Sequence, residues 1–337
     1  MIAPYEDAVQ ACCSFPIGEV IMLAPLGNGH IHETWLVTTG TGKYVLQRLN
    51  PHIGVQETEN VVLVTEHLAS QGLLTPRLLI AQHRASVLEN HTGTWRVMTY
   101  IEGSTIETGP TPAQAGSAAR LLAQFHKALA DIPGTLPYTL PHFHDTAYDL
   151  ARLKEIHRPE TSLNKYRECE PVARRVIELL EPRAHMLDTL PRRLIHADPK
   201  INNFRFDPES KEALCMLDLD TVGHHPLPIE LGDMLRSCTA VAGGADIDTA
   251  VWRSIVETYR VTSSILTEEE SRLIPDGYIV YALELAARSI TDAYEEKFFR
   301  HDRDRFATLF EQNLARAELQ LARAEGFLAH ENDLRSL

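Results

Sequence analysis

Asp198, Asn203 and Asp218 are the residues whose types and spacing point most directly to chemistry. The stretch LIHADPKINNFRFD (194–207) packs His196, Asp198, Lys200, Asn202 and Asn203 between two apolar pairs. An ordinary turn needs only Gly or a single Asn. This one reads as a loop built to hold a carboxylate and amides at fixed positions. Further on, Asp218 and Asp220 interrupt an apolar strand in CMLDLDTV. A hairpin across 205–217 would return Asp218 to Asn203. A carboxylate, an amide oxygen and a second carboxylate would then surround one point. Hard cations such as Mg²⁺ prefer oxygen and take one or two carboxylates plus phosphates. The set therefore suits a metal–nucleotide complex. The alternative is plain turn and cap usage of Asn and Asp.

HADPKINN resembles the H-x-D-x-x-x-x-N catalytic loop of the protein-kinase-like superfamily, and LDLD stands where that superfamily has D-F-G. The variant is most similar to the aminoglycoside phosphotransferase and choline kinase branch, whose members phosphorylate small molecules. Leu219 and Asp220 occupy the places of the Phe and Gly. The resemblance implies Asp198 as catalytic base, with Asn203 and Asp218 holding Mg²⁺ against the phosphates of ATP. His196 would brace the loop. Asp220 is left open between metal contact and support of Asp218.

PLGNGHIHETWLV resembles the phosphate loop of the same superfamily. Gly27 and Gly29 would let the backbone approach phosphate, while His32 stands where a third glycine is usual. That replacement and the lack of a βαβ pattern downstream both count against a Rossmann site. KYVLQRLN has no Lys inside the strand, so Arg48 would be the phosphate cation, with Glu59 as its helix partner and Glu57 close behind. An Arg fork is not equivalent to a Lys point charge. VMTYIEG resembles the hinge that meets adenine through backbone groups at Thr99 to Ile101.

Arg288 and Asp292 lie four apart in RSITDAYEEKFF, on one helical face, where an i,i+4 ion pair is the simple reading. LQRLN, FHDT, LDLDTV and RSITDAYEEKFF together are similar to the N-acetylhexosamine 1-kinase-like group. That likeness implies an amino-sugar acceptor phosphorylated at its anomeric hydroxyl, contacted by Arg288 and Asp292 with His144 or Asp145. The rival acceptors are an aminoglycoside, a choline-like alcohol or homoserine. A nucleotide-binding regulator without catalysis and a histidine-based metal hydrolase are the remaining readings. For the hydrolase, the His pairs 30/32, 142/144 and 224/225 lack an H-E-x-x-H frame.

The elements that must position these groups fall into two stretches. Before Gly103, ETWLVTT and KYVLQRL flank GTG, and ASVLEN and TWRVMTYI flank HTG, two hairpin signals. ENVVLVTEHLASQG reads as a helix between them. From Thr111, TPAQAGSAARLLAQFHKALA opens with a Thr-Pro start signal, and helical spacing dominates to the end. The expected fold is α+β: a nucleotide-binding lobe over 1–103 with a small antiparallel sheet, and a mostly helical catalytic and acceptor lobe over 104–337. The resemblance makes it a two-lobed protein-kinase-like fold.

The 337 residues suffice for two such lobes. A net charge of -14 argues against a nucleic-acid or anionic-membrane partner. The partners expected are a nucleotide and a small-molecule substrate. No apolar run reaches the ~18 residues of a membrane span. Five cysteines without a C-x-x-C pair suggest reduced thiols, and the N-terminus carries acids where a signal peptide needs bases. Both favour the cytoplasm. Oligomeric state is not legible.

Overall fold

The first elements in the chain are α1 (Tyr5–Cys12), β1 (Val20–Pro25), β2 (Glu33–Thr39), β3 (Gly42–Arg48), α2 (Val55–Ser70), β4 (Leu88–Asn90) and β5 (Gly93–Thr99). The computed structural model describes residues 5–27, 31–50, 55–81, 85–241, 246–297 and 300–337. The five strands form one sheet in the order β1-β2-β3-β5-β4, antiparallel throughout. Both expected hairpins are present, as β2–β3 and β4–β5.

Strand side chains alternate between faces, and that alternation sorts the residues of this sheet. Trp35, Val37, Leu46, Trp95 and Val97 line the face that α1 covers with Ala8, Ala11 and Cys12. The two tryptophan rings are 5.6 Å apart. Arg48 is two residues beyond Leu46 and stays on this face. Its Cζ lies 5.9 Å from the Trp95 ring, and its Nη1 lies 3.5 Å from the Glu33 carboxylate. Gln47 faces the other way. It sits opposite Arg96 in the β3–β5 register, and Arg96 Nε donates to Gln47 Oε1 at 2.8 Å.

Helix α2 begins at Val55, earlier than the apolar stripe indicates, so Glu57 lies in its first turn. Residues two apart on a helix are about 200° apart around its axis. Glu57 is buried and Glu59 is exposed.

The chain continues through α3 (Pro112–Leu129), α4 (Thr146–Ile156), α5 (Leu163–Leu180), β6 (Arg192–Ile195), β7 (Phe204–Phe206), β8 (Ala213–Met216), β9 (Gly223–Pro226), α6 (Leu227–Cys238), α7 (Thr249–Thr262), α8 (Glu268–Arg272), α9 (Ile274–Glu295) and α10 (Leu309–Ala329). Helix α3 starts at the Thr-Pro signal. Thr111 and Gln114 form a capping box there, which satisfies two otherwise orphaned N–H groups. Strand pairs β6–β9 and β7–β8 frame the catalytic-loop stretch.

Helix α9 packs against α4, α5, α6 and α10. Buried residues run nearly all round it, the pattern of a helix inside a core. It crosses α6 backbone to backbone: a Cβ on Gly277 would sit 1.7 Å from Pro228 O. Any side chain there would push the two helices apart. The crossing matters because α6 carries Glu230 and Asp233 beneath the catalytic loop.

The architecture is α+β as expected, with the antiparallel sheet first and helices after. None of the five cysteines is in a disulfide. Among the described residues no helix is long and apolar enough to cross a membrane.

Candidate active site

Strand β6 delivers the chain to His196, and regular structure stops there. Ala197 has φ 66°, a left-handed conformation that costs a residue with a Cβ about 1–2 kcal/mol. Its surroundings hold it in place. The buried Glu230 carboxylate accepts from His196 N at 3.0 Å and from Ala197 N at 2.7 Å. His144 Nε2 donates to Ala197 O at 2.9 Å. His196 Nε2 donates to Leu217 O at 2.8 Å, and His196 Nδ1 accepts from Asp198 N at 3.3 Å. His196 thus ties the loop to the residue before Asp218.

The β7–β8 hairpin closes the group. Leu217 N donates to Asn203 O at 2.7 Å, which brings Asp218 beside Asn203. Asn203 Nδ2 donates to Asp198 O at 2.8 Å and to Asp198 Oδ2 at 3.1 Å. That leaves the Asn203 amide oxygen unused by the loop. Asp218 has φ 60° and an exposed side chain, and its carboxylate has no hydrogen bond or ion pair to a described residue. One uncommitted carboxylate and one oriented amide oxygen suit a divalent cation that completes its shell with phosphates and water.

Lys200 Nζ lies 2.5 Å from Asp198 Oδ2. Burial pushes the Asp198 carboxyl above the usual range; Lys200 opposes this, while Asp233 and Asp218 add to it. Burial alone would pull the Lys200 ammonium down, but Asp198 and Asp218 outweigh it and its pKa is raised. A carboxylate with increased proton affinity is a better general base, and a firmly charged lysine stands next to it.

On the nucleotide side, Gly27 has φ 71° with nothing within 4 Å of an added Cβ, a turn suited to glycine at the start of the expected phosphate loop. Gly29 lies outside the described residues. Thr99 N donates to Arg77 O at 2.9 Å, and Ile101 O accepts from Arg205 Nε at 3.0 Å, so these two backbone groups are already bonded within the protein. Arg48 and Glu59 are not brought to the Asp198 group: the pleat turns Arg48 toward α1, and the helix phase turns Glu59 toward solvent. The inward guanidinium of the sheet is Arg96. Its Nη1 and Nη2 each reach one oxygen of Asp220 at 2.6 Å, and His32 Nε2 donates to Asp220 Oδ2 at 2.9 Å. Both Asp220 oxygens are therefore engaged by protein groups, the arrangement expected of a supporting residue. Burial would raise the Asp220 pKa, but Arg96 and His32 overcome that and hold it well below the usual carboxylate range.

On the acceptor side, three of the four expected residues are occupied structurally. Asp292 accepts from Asn313 Nδ2 at 2.8 Å and Lys297 N at 3.0 Å. Asp145 caps α4, accepting from Tyr148 N at 3.0 Å. His144 bridges Ala197 O and Glu284 Oε1, the latter at 3.1 Å. Arg288 is held more loosely. Its Nη2 is 3.6 Å from Glu284 and its Nε 3.8 Å from Asp149, while its Cζ sits 5.4 Å from the Phe143 ring. The anticipated Arg288–Asp292 pairing gives way to Glu284, one turn earlier on the same helix.

Four residues that matter here escape a reading of the motifs. Lys200 was visible two positions after Asp198. Glu230 was an acid inside an apolar helix. Arg96 and Asp149 carried no local signal. Among the described residues no group of three or more His, Cys, Asp or Glu side chains could hold a metal. The pairs 142/144 and 224/225 do not form a hydrolase centre.

A sheet-first, helix-second architecture with an Asp–Asn–Asp oxygen group framed by two short strand pairs defines the class: a two-lobed, protein-kinase-like phosphotransferase. Residues 23–262 match the model of the phosphotransferase enzyme family, APH, and the chain belongs to that family. A curated relative, homoserine kinase from Methylobacillus glycogenes, is 24% identical over 124 residues. That match spans 37% of this chain and 38% of the relative. Among solved structures, an aminoglycoside phosphotransferase from Alicyclobacillus acidocaldarius superposes with a TM-score of 0.63 at 16% identity, covering 97% of this chain and 96% of that one. Amicoumacin kinase, solved with AMP-PNP, Ca²⁺ and Ami, gives a TM-score of 0.67 at 13% identity, covering 94% and 93%.

Proposed function

We propose that the chain is an ATP- and Mg²⁺-dependent kinase of a small-molecule hydroxyl. Its favoured acceptor is an amino sugar phosphorylated at the anomeric position, such as an N-acetylhexosamine or related hexosamine. The observation that carries the phosphotransfer is the convergence of Asp198, Asn203 and Asp218 on one point beside Lys200. In this reading Asp198 accepts the proton of the acceptor hydroxyl as that oxygen attacks the γ-phosphorus. Lys200 orients the Asp198 carboxylate and faces the transferring group with its positive charge. Asn203 and Asp218 hold the cation, which when bound neutralises charge on the β- and γ-phosphates. Gly27 would open the loop that covers the phosphates.

Arg288 and Asp149 would meet the acceptor. A hydrogen-bond donor and a hydrogen-bond acceptor that face each other at Arg288 and Asp149 support a hydroxylated acceptor. The partial match to homoserine kinase supports a second reading, homoserine as the acceptor. A panel of N-acetylhexosamines, hexosamines, aminoglycosides, choline and homoserine, read by Mg²⁺-dependent ADP release, separates the two. Mapping the phosphorylated position on the product tests the anomeric assignment. Asp198→Ala is expected to lower transfer by at least ~10²-fold while leaving nucleotide binding intact. Retained turnover would remove the proposed base.

A further inference from the structure

The sheet holds a second guanidinium besides Arg48, and the fold commits it to the other side. Arg96 is 2% exposed and lies on the face opposite α1. Three of its N–H groups are engaged: two on the oxygens of Asp220 and one on Gln47. Asp220 also accepts from His32, whose Nδ1 in turn accepts from Asn50 N at 3.1 Å. That fixes the proton of a neutral His32 on Nε2. The chain of bonds joins β3 and β5, the residue that leads from the phosphate loop into β2, and the short turn that starts at Asp218. Asp218 is the residue that needs such an anchor. Its left-handed backbone conformation is unfavourable for a side chain with a Cβ and persists only where neighbours over-determine it. Asp220, clamped two residues later, supplies that constraint.

We infer that Arg96 is the positioning residue of the metal loop, acting through Asp220 to hold the Asp218 carboxylate in place, and that Arg48 has no part in the nucleotide site. A bidentate guanidinium–carboxylate fork fixes orientation as well as distance, so a lysine cannot substitute for it. The inference rests on the kinase reading for the identity of the cation. It does not rest on any acceptor.

The test therefore uses nucleotide and metal alone. A fluorescent ADP analogue is titrated into wild type, Arg96→Lys and Arg48→Ala, with and without Mg²⁺, and each variant's thermal midpoint is recorded. Arg96→Lys is expected to bind the metal-free analogue within about threefold of wild type, yet to need roughly 10- to 100-fold more Mg²⁺ for the metal-dependent gain in affinity, the usual cost of losing a group that orients a ligand. Arg48→Ala is expected to keep wild-type Mg²⁺ dependence. Should Arg96→Lys fail to fold, Asp220→Asn keeps the side-chain shape, weakens the fork, and is expected to show the same shift. An unchanged Mg²⁺ requirement in the folded variant, or a larger shift in Arg48→Ala, overturns the inference. A wild type whose nucleotide binding ignores Mg²⁺ instead overturns the kinase reading on which it rests.

Discussion

Two arginine–aspartate pairs, one fully buried and one with its arginine 25% exposed, are built differently. Arg96 and Asp220 form a closed fork with two contacts of 2.6 Å, and Asp220's third bond goes to His32. Arg288 and Asp149 face each other at 3.8 Å. Arg288 Nε and Asp149 Oδ2 are both buried and have no hydrogen-bond partner among the described residues. A buried polar group without a partner costs roughly 1–3 kcal/mol. The closed pair is engaged on both carboxylate oxygens by protein groups, which suits it to holding its surroundings. The open pair keeps a donor and an acceptor in reserve. A hydroxyl between them could accept from Arg288 and donate to Asp149. In the proposed reading the same chemistry would serve as a lock toward the nucleotide and as an open contact toward the acceptor.

Breaking the closed pair has the largest expected effect. Asp220→Ala leaves Arg96 charged and buried without its partner. With side chains 2% and 7% exposed, solvent cannot take over. The expected loss is about 3–5 kcal/mol of unfolding free energy, read by denaturant titration. A loss below about 1 kcal/mol would mean that Arg96 finds another partner and that the pair is no lock.

How much of this was legible in the sequence depends on the range of the interactions. Asp198, Asn203 and Asp218 are joined by one loop and one hairpin, so their convergence could be read from spacing and strand pattern. The division into sheet and helices was equally local. Which guanidinium of the sheet turns inward was not. It depends on which face each strand turns inward, and a one-residue difference in phase reverses that. Glu59 was named ahead of Glu57, but the helix begins earlier than its apolar stripe and its phase buries Glu57. Asp292 looked available because its partner Asn313 belongs to another helix. Asp149 gave no sign at all, since α4 and α9 meet only in the folded chain.

The open pair is expected to respond in function more than in stability. Arg288→Met removes a donor held by loose ion pairs, together with the guanidinium that sits 5.4 Å from the Phe143 ring. Because Arg288 is partly exposed and Glu284 keeps its bonds to His144 and Thr146, unfolding free energy is expected to change by less than about 1 kcal/mol. A hydrogen bond from a charged donor to the acceptor is worth about 1.5–3 kcal/mol, so kcat/KM for the acceptor is expected to fall about 10- to 100-fold. The fall should appear mainly in KM, with nucleotide affinity unchanged. A variant that loses stability but keeps its acceptor KM would make Arg288 a structural residue and close the difference between the two pairs.

The last test sharpens the comparison through pH. Burial, reinforced by the Glu284 charge and opposed by Arg288, pushes the Asp149 carboxyl up to about 8. Asp220, with its oxygens satisfied, is shifted the opposite way. In the unfolded chain Asp149 titrates near the ordinary value of about 3.9. Between these two pH values the folded state binds more protons than the unfolded one, so Asp149 lowers stability as pH rises from about 4 toward 8. The slope from this group is at most about 1.4 kcal/mol per pH unit. Asp149→Asn removes it. The thermal midpoint of the variant relative to wild type should rise between pH 6 and pH 8, with little difference near pH 4. Parallel profiles would mean that Asp149 is already ionised against Arg288 at neutral pH. The second pair would then be as closed as the first, and acceptor recognition would have to be sought elsewhere around Asp198.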